Sequence, residues 1–263
     1  MDIRLVAMDM DGTLLDSQKR LPTDFMDWVK RHPEIKTIIA SGRQYYTLEK
    51  DFIPVKDQLI YVAENGGFVF EKGEILYSNE MKKEDILECL DLVDGIKGLT
   101  PILCGAESAY MRPAATEHIL REVSMYYDHL QETEELYEAA LEDVIVKIAV
   151  FADEKMAEAS MKYFKDIKPH LVSVLSGDSW IDIANCTVNK GIAVDFIQKK
   201  YGIEKSRSMA FGDYLNDAEL LQNCGESYCM ENGHPDLKAL AKYIADSNDE
   251  NGVMKVLYSL DEV

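Results

Sequence analysis

The chain has 263 residues, 47% of them hydrophobic and 29% charged, with 48 acidic against 28 basic side chains and a formal charge of −20. That length can bury the core of one large domain or two smaller ones. The charge excludes a surface made for nucleic acid or anionic membranes, and any anionic substrate would need a metal cation or focused basic groups.

Ile3 to Met8 is a short apolar run suited to a strand covered on both faces. It leads directly into Asp9 and Asp11. Residues 22–32 read as a helix, 37–40 as a second buried strand ending in Ser41-Gly42-Arg43, 44–52 as a helix, and 59–63 as a third strand ending in Glu64-Asn65-Gly66-Gly67. Strand, helix, strand, helix, strand predicts a parallel sheet with right-handed crossovers. Phe68-Val69-Phe70 and Ile75-Leu76-Tyr77 flank a turn-like Glu71 to Glu74 and read as a hairpin.

The middle of the chain mixes element types. Helix is expected over 82–94 and 154–167, and strand over 144–152, 171–175 and 180–184. The acidic run from Gln131 to Glu142 reads as a solvated helix face. From Asn189 the first rhythm returns, with helix at 191–201, strand at 208–211, helix at 218–223, strand at 227–230, and helices at 236–243 and 253–259. The expected fold is α/β: a doubly wound, Rossmann-like parallel-sheet core in two segments, 1–81 and 186–263, interrupted by an inserted α/β cap domain at 82–185. An insertion of roughly a hundred residues is the size of one small domain.

Ligands in open α/β sheets bind beyond the carboxyl ends of the strands. Just past the outer-segment strands stand Asp9, Asp11 and Thr13; Ser41, Gly42 and Arg43; Asn65; and Asp213, Asn216 and Asp217. Lys190, opening a helix, can join them. Clustered carboxylates repel one another. Hard oxygen donors of this kind suit Mg²⁺, and a nearby lysine and serine hydroxyl suit a phosphoryl group. The pooled chemistry is Mg²⁺-assisted phosphoryl transfer. Two aspartates at i and i+2 can divide the work, one as nucleophile and the other as general acid and then base.

Asp9-Met10-Asp11-Gly12-Thr13 resembles the DxDGT signature of the haloacid dehalogenase-like superfamily. Ser41-Gly42-Arg43 is similar to its second motif, Lys190 to its third, and Gly212 to Asp217 to the GDxxND form of its fourth. The insertion between the second and third motifs resembles the cap of the Cof-type sugar-phosphate phosphatases, and Ser247 to Val253 resembles that subgroup's C-terminal segment. The resemblance implies Asp9 as nucleophile and Asp11 as general acid/base. Mg²⁺ would be held by the Asp9 and Asp213 carboxylates and the Asp11 carbonyl. Met10 (through its amide), Ser41, Gly42, Lys190 and Asn216 would hold phosphate, Thr13 and Asp217 would support them, and Arg43 and Asn65 are candidates for substrate contact. Tyr214 departs from the Asn common at that position.

The implied partner is a small phosphorylated metabolite, because a cap disfavours macromolecular substrates. A phosphosugar mutase of the same family and a receiver-like phospho-aspartate regulator are the rival readings. The five cysteines (Cys89, Cys104, Cys186, Cys224 and Cys229) show no CxxC spacing and predict reduced thiols. The five histidines show no metal spacing. With Asp2, Arg4, Asp9 and Asp11 breaking any leader-like apolar region, a cytoplasmic protein is expected. The substrate and the oligomeric state are not legible.

Overall fold

The computed structural model describes residues 2–153, 156–165 and 167–261. The chain divides into two compact units, Met1–Tyr77 with Asn189–Val263, and Ser78–Val188.

In chain order the first unit opens with β1 (Leu5–Met8), α1 (Phe25–Arg31), β2 (Lys36–Ala40), α2 (Tyr45–Asp51), β3 (Leu59–Ala63), β4 (Phe68–Glu71) and β5 (Glu74–Ser78, whose last residue falls in the second unit). The second unit carries α3 (Lys83–Asp94), β6 (Leu99–Gly105), β7 (Ala109–Met111), α4 (Glu117–Ser124), β8 (Leu130–Glu132), α5 (Leu136–Glu142), β9 (Ile145–Ala152), α6 (Ala157–Ser160), β10 (Leu171–Leu175) and β11 (Trp180–Asn185). The first unit then resumes with α7 (Lys190–Tyr201), β12 (Ser208–Gly212), α8 (Ala218–Gln222), β13 (Glu226–Met230), α9 (Pro235–Leu240), β14 (Tyr243–Ala245) and α10 (Gly252–Tyr258).

The first unit is built on an eight-stranded sheet ordered β14-β13-β12-β1-β2-β3-β4-β5. From β14 to β3 every pairing is parallel, and β4 turns back antiparallel on β3. β1 lies between β12 and β2, with Leu5 opposite Ser208 on one side and Lys36 on the other. All four of its residues are buried, as expected of a strand covered on both faces. Chain segments that are distant in sequence thus put the ends of β1, β2, β3 and β12 side by side. The 68–78 hairpin extends this core sheet.

The second unit has a six-stranded sheet ordered β10-β11-β9-β6-β7-β8, antiparallel except for the parallel β7–β8 pair. Alternate residues face opposite ways. Ile148, Val150, Ile181 and Ile183 pack with α3 and α5, while Ala149, Phe151 and Trp180 pack with Ile119 and Val123 of α4.

Three expectations change. The helix read over 236–243 stops at Leu240. Ala241 is extended (φ −73°, ψ 147°), and Tyr243–Ala245 pairs with β13 as the edge strand. A short apolar run does not distinguish strand from helix by periodicity. In the run 131–142, helix is confined to Leu136–Glu142, and Gln131 and Glu132 belong to β8. The helix read over 154–167 is a single turn, Ala157–Ser160, followed by a 3-10 turn at Met161–Tyr163; residues 154, 155 and 166 of that span lie outside the described residues. Strands β6 and β7 and helix α4 went unread, since neither the Pro101-containing β6 nor the three-residue β7 offers a clean alternation.

Candidate active site

Asp9 follows β1 immediately, and its N–H is held by the Phe211 carbonyl of β12 at 3.1 Å. Lys190 is the first residue of α7. Asn189 caps that helix by accepting the Ile192 N–H at 2.8 Å, an arrangement that fixes where the helix begins. The Lys190 side chain is 0% exposed. Its Nζ donates to Asp9 Oδ1 at 2.6 Å and to Asp217 Oδ1 at 2.6 Å. The other Asp217 oxygen accepts the N–H of Asp213 at 3.0 Å and of Tyr214 at 3.2 Å. Asp217 is therefore fully occupied as a brace for Lys190 and for the loop after β12.

Asp213 stands on that loop. Its Oδ1 accepts from Thr13 Oγ1 at 3.1 Å. Ligand atoms of Asp9, Asp213 and Asp217 lie within 4.8 Å of one another. Burial drives Asp9 up from 3.8 to about 7, Lys190 pulling it down and the charges of Asp217 and Asp213 adding to the rise. Burial and then the Asp217 charge raise Asp213 to about 6. Burial disfavours the Lys190 charge, yet Asp9 and Asp217 outweigh it and hold the ammonium protonated. Crowded, desolvated carboxylates with raised affinity for protons are a site short of positive charge.

That shortage fits a hard divalent cation. Of the three carboxylates, Asp9 and Asp213 each keep an oxygen that accepts no hydrogen bond from the described residues. Mg²⁺ typically takes one or two protein carboxylates. Gly12 makes room for this approach. Its φ is +85°, and a Cβ there would lie 2.4 Å from Asp213 Oδ2, so both the turn and the contact require glycine.

The Asp11 carboxylate stands outside this trio. Arg43 Nε donates to its Oδ2 at 2.9 Å, Arg43 Nη2 to its Oδ1 at 2.7 Å, and Lys19 Nζ to the same Oδ1 at 2.6 Å. Burial works against ionisation, but these donors hold the Asp11 carboxyl below its ordinary 3.8.

Ser41 is buried at the end of β2, and its Oγ accepts the Arg43 N–H at 3.2 Å. Gly42 lies so close to Asn65 that a Cβ would meet Asn65 Nδ2 at 2.9 Å. Asn65 adopts φ +55°, its N–H bonds the Ser41 carbonyl at 2.9 Å, and its Oδ1 accepts from Asn216 Nδ2 at 3.2 Å. The Met10 side chain is in the core, with its carbonyl taking the Leu15 N–H at 2.8 Å.

Lys19 and Asn232 went unread, and Asn248 and Asp249 were read only as part of the family-like C-terminal segment, without a place at the site. Lys19 joins Asp11 from an exposed turn that carries no sequence signal. Asn232 donates to the Gly12 carbonyl at 2.8 Å, Asn248 donates to the Leu15 carbonyl at 2.9 Å, and Asp249 accepts the Ser17 N–H at 2.8 Å. The last two belong to the 247–253 segment, whose pattern was the available clue.

A family model for haloacid dehalogenase-like hydrolases matches residues 6–257. The chain belongs to that family. It is similar to the 5-amino-6-(5-phospho-D-ribitylamino)uracil phosphatase YbjI of Escherichia coli K12, at 33% identity over 98% of this chain and 96% of the relative. A putative phosphatase of Streptococcus pyogenes is 30% identical over 96% of each chain. A crystal structure from Eubacterium rectale superimposes with a TM-score of 0.88 at 26% identity, covering 99% of this chain and 100% of that one. This haloacid dehalogenase-like, Cof-type chain is a phosphomonoester hydrolase. Among the described residues no helix is long and apolar enough to cross a membrane.

Proposed function

We propose that this hydrolase is a Mg²⁺-dependent phosphatase of small phosphorylated metabolites that works through an aspartyl-phosphate on Asp9. The observation that carries the reading is the buried Asp9–Lys190–Asp217 chain beside Asp213. It supplies a nucleophile oxygen, a fixed ammonium and a second free carboxylate oxygen at one sheet edge.

Asp9 attacks phosphorus, the bond from phosphorus to the ester oxygen breaks, and that oxygen leaves with a proton from Asp11, which has first to take up that proton against the Arg43 and Lys19 donors that favour its ionised form. Water then attacks the phosphoryl group, Asp11 takes its proton, and the bond from phosphorus to Asp9 breaks to release inorganic phosphate. Lys190 orients Asp9 and meets the negative charge of the phosphoryl oxygens. Ser41, Gly42 and the Met10 amide are assigned to the same oxygens, with Asn216 at the rim. The Asp9 and Asp213 carboxylates, with the Asp11 carbonyl, are assigned to Mg²⁺, which when bound supplies charge neutralisation for the phosphoryl group.

The E. coli relative's named substrate, a phosphorylated ribityl chain on a pyrimidine, is the first candidate substrate for this chain. The test is phosphate release with Mg²⁺ from a panel of that compound, ribitol 5-phosphate, glucose 6-phosphate, flavin mononucleotide and p-nitrophenyl phosphate. Release that disappears in Asp9→Asn supports the reading. No release from any ester, or a lasting phosphoryl group on Asp9, overturns it.

A further inference from the structure

We propose that Arg43 is a positioning residue for the Asp11 carboxylate rather than a substrate-binding group. The inference rests on the reading of Asp11 as acid and base, and it adds a residue whose task is to aim that group.

The Arg43 guanidinium meets Asp11 as a fork, Nε to Oδ2 at 2.9 Å and Nη2 to Oδ1 at 2.7 Å. Two parallel N–H···O bonds fix the plane of a carboxylate as well as its distance. The remaining Nη1 reaches Asp51 Oδ2 at 3.4 Å, so the group is engaged on both sides. Its base is equally held. The Arg43 N–H donates to Ser41 Oγ at 3.2 Å, and the Arg43 carbonyl accepts the Glu64 N–H at 3.1 Å. The fork therefore projects from the rigid end of β2 onto the loop after β1. Lys19 adds a third contact at 2.6 Å, but from a side chain that is 62% exposed. Without Arg43 the Asp11 carboxylate keeps, among the described residues, only that one exposed side-chain donor and is free to rotate. An acid that must meet a leaving oxygen cannot tolerate such freedom.

Leaving-group dependence separates aiming from phosphate binding. An alkoxide leaving group needs the proton from Asp11, whereas p-nitrophenolate is stable without it. The quantity to measure is kcat/KM, which covers steps through phosphorylation of Asp9, for p-nitrophenyl phosphate and for the fastest alkyl phosphate of the panel. The proteins are wild type, Arg43→Ala, Arg43→Lys and Asp11→Asn, each with Mg²⁺. The expected result is that Arg43→Ala loses at least about tenfold more on the alkyl ester than on the aryl ester, as Asp11→Asn does. Arg43→Lys, which restores charge but not the fork, recovers only part. Activity on the aryl ester reports that each variant is folded. Equal losses on the two esters in Arg43→Ala, or a loss confined to KM, overturn the proposal and make Arg43 a phosphate ligand. Equal losses in Asp11→Asn would instead remove the acid role from Asp11, and the positioning role would fall with it.

Discussion

Lys190 and Asp217 are both fully buried, and their side chains meet at 2.6 Å. The same ammonium holds Asp9 at 2.6 Å. One buried cation thus compensates two carboxylates, and this ties stability and chemistry to a single side chain.

Removing that cation leaves both carboxylates without their counter-charge, Asp217 keeping only the N–H groups of Asp213 and Tyr214. Breaking one side of a buried ion pair costs about 3–5 kcal/mol. Lys190→Ala is expected to lower the unfolding free energy by about that amount and to abolish phosphate release. Denaturant unfolding of the variant checks it; a change below about 1 kcal/mol would mean that the pair is solvated in solution.

Turnover should depend on the two loop aspartates in different ways. In the proposed mechanism Asp9→Asn retains shape and loses the attacking carboxylate, so phosphate release from every ester should vanish. Asp11→Asn should lose about a hundredfold or more, as expected on removing a placed acid/base. Steady-state rates with circular dichroism as a fold control measure both.

Asp213 gives a pH-dependent prediction whose sign follows from its raised carboxyl. Its value rises from 3.8 to about 6. Between about pH 4 and about pH 6 the folded protein holds a proton that the unfolded chain has released, so ionising Asp213 costs stability as pH rises through that window. Asp213→Asn removes the cost. In EDTA, the Tm of the variant should equal that of wild type near pH 4 and exceed it by a few degrees above pH 6. A Tm difference that does not change with pH would refute the buried like-charge interpretation.

Chelation should silence the enzyme. EDTA is expected to stop phosphate release and excess Mg²⁺ to restore it, because Asp9 and Asp213 repel one another without a cation between them. Isothermal titration of the chelated protein with Mg²⁺ should show one binding event that Asp213→Asn weakens. Unchanged turnover in EDTA would remove the metal from the reading.

Gly12→Ala probes the same approach from the backbone. At φ +85°, with a Cβ 2.4 Å from Asp213 Oδ2, alanine costs about 1–2 kcal/mol in backbone strain and pushes the carboxylate away. The Mg²⁺ concentration for half-maximal turnover should rise severalfold. An unchanged Mg²⁺ dependence would show that the loop relaxes without moving Asp213.

Much of the fold was legible because its signals are local. The apolar runs of β1, β2, β3 and β12 announce buried parallel strands, and the polar groups that follow each of them announce an edge where ligands bind. The order of Asp9, Ser41, Lys190 and Asp213 along the chain carried the family. Tyr243–Ala245 shows the limit. Its side chains suit either helix or strand, and only the neighbouring β13 decides for strand.

What the sequence determined by itself was which chemical groups stand at the ends of which strands, since strand ends and glycine turns are set by nearest neighbours. Only the tertiary structure decided which of those groups face one another. Asp217 braces Lys190, Arg43 grips Asp11, and Lys19 and Asn232 join from turns with no motif of their own. Those pairings span up to 220 residues. They depend on how the sheet stacks distant segments side by side, and no local pattern encodes that.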